Sequence, residues 1–173
     1  MSPTLDRVPT TPQASLIAEL DLLLDQSLWA NRRWVEFVHA QPDAERRPRE
    51  LLGHIMAAER IWFERILGER KTTDAFPVLE KDELLRALDE NRATCASLIA
   101  TRLDQVFHFK RATGEEGDAR VIDVIHHLVT HGYHHRGQLA SHYAHKGVVY
   151  PATDHIDFVM ARSAGGGSAK PAG

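Results

Sequence analysis

The sequence predicts an all-α protein arranged as a four-helix bundle. Four long segments place apolar side chains at three- and four-residue spacing, the period of a helix with one buried stripe. Modest loops join them, and alternation of period two is confined to one short stretch, "VFHFKR", the sole candidate strand. Each element can be justified in turn. The first helix is expected from about Ser15 to His39, where Leu16, Leu20, Leu23, Leu24, Trp34, Val35 and Val38 recur periodically. The polar run "AQPDAERRP" ends it. Pro48 then stands where a helix's first turn tolerates a residue without an N–H.

The second helix is expected from about Arg49 to Leu67, with Leu51, Ile55, Ala58, Trp62 and Ile66 on one face and Gly68 as its stop. A third covers about Lys81 to Val106 and carries Leu84, Leu88, Leu98 and Ile99. The fourth covers about Ala119 to Lys146, with Gly147 as its cap, and a further helical turn or two is expected near Asp154–Ala161. Residues 1–12, rich in Pro and Thr, and residues 163–173, rich in Gly and Ser, read as flexible tails. The expected domain is therefore 13–162.

Composition narrows the class. A chain of 173 residues, 43% of them hydrophobic, suits one domain with a real core. A net charge of -3 supplies no broad basic field for nucleic acid or an anionic membrane. Arg32, Arg33, Arg46, Arg47 and Arg49 form short clusters that read as solvated faces. No apolar run approaches the roughly 20 residues that span a bilayer. "MSPTLDRVPTTPQ" lacks the charged start and apolar core of a signal peptide. The expectation is a cytoplasmic protein with no nucleic-acid and no membrane partner. Cys95 is the single cysteine, so an intrachain disulfide is impossible, and its place inside "TCASLIA" reads as a small buried residue rather than a nucleophile.

The chemistry-bearing stretch is "IHHLVTHGYHHRGQLASHYAHKG", Ile125 to Gly147, which holds seven of the eleven histidines. At about 100° per residue, His127, His131, His135, Gln138 and His142 form one polar stripe, bordered by Val121, Ile125, Leu128, Leu139 and Tyr143. His131 and His135 sit near that border, one turn apart. Two histidines at i and i+4 can reach one metal ion, although the glutamate of zinc proteases is missing from the intervening residues. His54 takes the same border position on the second helix, so packing could bring it to the pair. The bland readings are a hydrogen-bonded core histidine for His54 and a chance HxxxH for the pair. His126, His142 and His145 read as solvated or lining residues, and His39, His108 and His155 carry no assignable role.

"HGYHHRGQL" resembles the C-terminal signature of the DinB-like (DinB/YfiT) family. "WANRRWVEFV" resembles its first helix, "LLGHIMAAERIWFERILG" its second, and "YPATDHIDFV" its usual ending, so the likeness covers about residues 15–160. The resemblance implies a four-helix bundle of the DinB/YfiT type that holds a divalent metal through three histidines. Carried over by motif, these are His54, His131 and His135, with His127 as the second-choice ligand. His134 points about 100° away from His135 and should not share the ion. Arg136 falls within or beside the apolar arc and needs a partner; a structural ion pair with Glu59 is expected, with a dimer contact as the alternative. Gly137 is read as permitting close helix approach, and Gln138 as orienting a ligand histidine or a water.

Three imidazoles suit zinc, nickel, iron or copper alike. The resemblance implies, as the leading function, a metal-dependent transferase that uses a low-molecular-weight thiol on a small electrophilic substrate. The alternatives are a non-catalytic metal- or ligand-binding protein of the stress-response kind, and a bundle whose histidines only stabilise the fold. Trp29, Trp34 and Trp62 give the first two helices more aromatic surface than one small core needs, which points to a homodimer, as family members often form.

Overall fold

The computed structural model describes residues 11–42, 45–69, 74–111 and 113–165. The fold is mostly helical: α1 (Pro12–Ala40), α2 (Arg46–Leu67), α3 (Lys81–Arg102), β1 (Val106–Lys110), β2 (Glu116–Arg120), α4 (Val121–His145) and α5 (His155–Gly165). Helices α1 to α4 each pack against the other three. No helix among the described residues is long and apolar enough to cross a membrane.

The helix ends follow local chemistry. Thr11 caps α1, its hydroxyl accepting the Ala14 N–H at 3.2 Å, and Pro12 occupies the first turn. α2 starts three residues before the expected Arg49, with Pro48 still inside its first turn, and it stops at Gly68, whose φ of 71° is left-handed. α3 opens with a reciprocal cap between Glu80 and Glu83 and closes at Arg102, short of the expected Val106. The chain then enters a hairpin that the four-helix expectation lacked beyond its one candidate strand.

In that hairpin Phe107 pairs with Ala119 and Phe109 with Gly117, placing both phenylalanines on the inner side. The outer side is held by the ion pair of Lys110 with Glu116 at 2.9 Å and the hydrogen bond of His108 with Asp118 at 3.0 Å. The backbone N–H groups of Val121 and Ile122 donate to the Gln105 and Leu103 carbonyls, which ties the start of α4 to the segment between α3 and β1. α5 is longer than expected and buries Phe158 against Trp29, ring centres 5.7 Å apart. Ser163 to Gly165 thus lie in a helix, while residues 1–10 and 166–173 of the expected tails lie outside the described residues.

Two apolar clusters fill the interior. One gathers Leu24, Phe63, Cys95 and Leu128, the other Trp34, Ile55, Leu88 and Leu139. A polar layer separates them, one residue from each long helix: Asn31, Glu59, Asn91 and Arg136. The Asn91 amide donates to Glu59 Oε2 at 2.8 Å, and Arg136 Nη1 donates to Asn31 Oδ1 at 2.8 Å. Arg136 is buried as expected, but the expected Glu59 ion pair is not formed: each takes an asparagine from another helix instead. Burial pushes the Arg136 guanidinium down to about 10. Glu59 faces a cavity of about 30 Å³, shared with Asn31, Asn91 and Cys95. Burial there pushes its carboxyl up to about 7 against the opposing pull of Asn91 and Arg136.

Gly137 does not allow a close approach. A Cβ there meets nothing within 4 Å; the tight glycines are Gly53 and Gly132. The three tryptophans are all housed within the chain: Trp34 in the core, Trp29 on α5 and Trp62 beside Phe109.

Candidate metal centre

α2 and α4 build the centre. His54 rises from α2 between the buried Leu51, Ile55 and Ala58. Its Nδ1 donates to the Ala75 carbonyl at 2.6 Å, and its ring stacks on Phe76, centres 4.0 Å apart and 4° from parallel. The loop that supplies both groups lies hard against α2 at Gly53, where an added Cβ would stand 1.9 Å from the Pro77 carbonyl oxygen. Only glycine lets this loop reach His54.

On α4, His131 and His135 stand one turn apart with their Nε2 atoms 3.0 Å from each other, a spacing that shares one proton or faces one cation. His135 Nδ1 donates to Gln138 Oε1 at 2.9 Å, the orienting contact expected of Gln138. Both His54 and His135 therefore keep the proton on Nδ1 and present an Nε2 lone pair, that of His135 directed at His131, as metal-ligating histidines do. Ligand atoms of His54, His131 and His135 all lie within 4.8 Å of one another, and all three side chains are half-buried. Among the described residues these three form the sole such group of histidine, cysteine and carboxylate side chains.

The electrostatics favour neutral rings at His131 and His135. Burial, then the potential charges of His135, His54, His127 and His134, push His131 down to about 3. Burial is also the leading cause holding His135 below the ordinary range, opposed by its bond to Gln138. Neutral imidazoles with fixed tautomers are the donor set that divalent transition ions select. The residues present therefore fit a metal ion.

The other histidines are placed apart. His127 touches His131, ring centres 5.5 Å apart, but stays outside the group. Burial and the nearby Arg111 hold it below the ordinary range. His134 is exposed and contacts Gln138 Nε2 at 3.0 Å, so Gln138 bridges it to His135 without bringing it to the centre. His145 bonds the Ser141 carbonyl on the surface at 2.6 Å. Sequence reasoning missed Ala75 and Phe76. The stacked phenylalanine had a faint signal, an aromatic residue before proline in "DAFPVLE", whereas a backbone carbonyl has none.

An open cleft of about 600 Å³ adjoins the centre. His54 and His131 line one part of it, with Ala58, Trp62 and Arg65 of α2, His127 and Val124 of α4, and Phe109, Arg111 and Ala119 of the hairpin.

The chain matches the DinB superfamily over residues 10–139. It belongs to that superfamily, which bears out the resemblance read from the motifs. No curated protein matches it.

Proposed function

We propose that this DinB-superfamily protein is a divalent-metal protein of the DinB/YfiT four-helix-bundle type, elaborated by the hairpin and α5, and that it acts as a thiol-dependent transferase. His54, His131 and His135 hold the ion, which is zinc, nickel or iron. The observation that supports this best is their convergence within 4.8 Å, with two of the rings oriented by oxygen acceptors on Nδ1. When bound, such an ion supplies Lewis acidity that favours the anionic form of a small thiol. The chain's own residues do the rest. Ala75 and Gln138 fix the rings, Phe76 covers His54, and the cleft admits a small electrophile beside them.

The thiol comes from outside the chain. Burial pushes Cys95 up to about 12, so it is protonated at neutral pH and enclosed in the core, unable to serve as the nucleophile. The same reading makes the protein cytoplasmic and homodimeric. Exposed Ile156, Val159 and Met160 on α5 support pairing. Sedimentation at micromolar concentration giving only a single-chain species of 19.4 kDa argues against it.

The test starts with elemental analysis of protein purified without added metal. One ion per chain is expected, sharply reduced in His54→Ala, His131→Ala and His135→Ala but retained in His145→Ala. Metal-loaded protein is then given a chlorinated aromatic and a panel of cellular thiols. Conjugation that needs both ion and thiol, and survives Cys95→Ala, supports the transferase. Full metal occupancy without conjugation for any thiol leaves a binding protein, and no occupancy at all removes the metal reading.

A further inference from the structure

The cleft beside the imidazoles has a polarity that the metal centre does not explain. Along α2 its lining runs His54, Ala58, Trp62, Arg65, a rise of roughly 16 Å at 1.5 Å per residue. α4 runs past it with His131 beside His54, and His127 beside Trp62, ring centres 5.5 Å apart. One end is thus imidazole. The middle is aromatic, where Trp62 meets Phe109 edge-to-face at 5.1 Å. The other end is cationic. Arg65 lies over the Trp62 ring at 4.6 Å and Arg111 of the hairpin lines the same cleft; burial first, and Arg111 second, lower the proton affinity of Arg65.

At this cationic end Arg65 is left without a carboxylate partner among the described residues, while Arg111 is paired. Among the described residues no carboxylate stands within ion-pair range of Arg65, whereas other arginines are paired: Arg92 takes both Asp21 and Asp25 at 3.0 Å, and Arg120 takes Asp123 at 2.9 Å. Asp123, the sole acid lining the cleft among the described residues, is the one already engaged by Arg120. Arg111 is paired with the exposed Glu115 at 2.7 Å. An uncompensated Arg65 sharing the cleft with Arg111, in a chain of net charge -3, gives this end a local positive charge that an anion would complement.

We propose that this cleft selects an elongated, amphiphilic small molecule: an anionic head at Arg65 and Arg111, a flat apolar body against Trp62 and Phe109, and its reacting end at the imidazoles. In assigning the reacting end, the inference rests on the metal-centre reading above. The anion at the head is a carboxylate, phosphate or sulfonate, all of which a guanidinium pair recognises by charge and paired N–H donors. The aromatic wall recognises the body by area and quadrupole.

The probe is naphthalene-2-sulfonate, a poor metal ligand, compared with the uncharged methyl sulfone of the same ring. Binding is followed by calorimetry on the full chain, both metal-loaded and chelator-treated, with metal content measured on the same samples. The sulfonate is expected to bind at least about tenfold more tightly than the sulfone, with an advantage that shrinks as salt rises. Arg65→Gln and Arg111→Gln should each erase most of that advantage while leaving sulfone binding and metal content unchanged. Circular dichroism confirms that each variant folds, and the exposed Arg111 provides a variant whose loss cannot disturb the core. Equal binding of the two probes, or an advantage that both variants keep, overturns the inference. If Arg65 serves only as a lid on Trp62, its variant weakens both probes alike, which also overturns it. Selective sulfonate binding in a chain that holds no ion keeps the cleft and removes the metal reading instead.

Discussion

Glu59→Gln should change how stability depends on pH, in one direction and within one window. Ordinary glutamates titrate near 4.5, but Glu59, which lines the small central cavity, is raised to about 7 by burial. A folded-state value above the unfolded one means that the native protein binds the proton more tightly. The resulting stability is complete below 4.5 and is lost as pH rises through 7. At 1.36 kcal/mol per tenfold change in proton affinity, the loss approaches about 3 kcal/mol. Glutamine keeps the shape and still accepts the Asn91 amide, but carries no charge to bury. Urea unfolding of chelated wild type and variant from pH 4.5 to 8 reads the difference. Contributions from the histidines cancel between the two proteins. The variant should gain on wild type by about 2–3 kcal/mol across the window, mostly before pH 7. Parallel stability curves would refute the reasoning, because they would mean that water reaches Glu59 freely and the layer is not enclosed.

Two glycine substitutions probe the rest of the framework. Gly53→Ala should destabilise the fold by about 1–3 kcal/mol or more, since its Cβ would stand 1.9 Å from a backbone oxygen, and should weaken metal binding by displacing the loop that holds His54; thermal melting and metal titration check both. Gly137→Ala, in an exposed stretch of α4 with nothing within 4 Å, should instead stabilise by about 0.5–1 kcal/mol with metal content unchanged.

The long helices were legible because each repeats a buried stripe over many turns, and the pattern survives errors at either end. The hairpin was not. Only β1 alternates in apolarity, while "EGDAR" pairs through its backbone and outer charges and carries no apolar side to read. At the candidate site, the i,i+4 spacing and the border position of His54 are properties of single helices, so they could be read before any packing was known. The Ala75 carbonyl depends on the path of a loop, and any residue could have supplied it. Arg136 and Glu59 illustrate a different limit. A helical wheel turns both inward but cannot say which inward polar groups meet. Asn31 and Asn91, polar residues inside apolar stripes on the other two helices, were the overlooked signal.

That layer matters to the site through α4. His131 and His135 face His54, while Gly132 and Arg136, each one residue further on, turn about 100° away into the core. If the 2.8 Å bond from Arg136 to Asn31 fixes the rotation of α4 about its axis, it also fixes the aim of both imidazoles. A buried charge held by one neutral acceptor is poor evidence of net stabilisation, because apolar residues of similar volume often serve as well. Its value here is orientation. The double variant Asn31→Leu, Arg136→Met should therefore unfold within about 1 kcal/mol of wild type, yet bind metal about 10- to 100-fold more weakly, the range seen when groups that orient ligands are lost. Gly132→Ala makes the same point without removing the charge: its Cβ would sit 2.9 Å from Arg136 Nη1 and push the guanidinium off Asn31. Isothermal titration with zinc reads both. Unchanged affinity in the double variant, with the fold intact by circular dichroism, would mean that packing alone sets the rotation of α4 and that the arginine is dispensable to the centre.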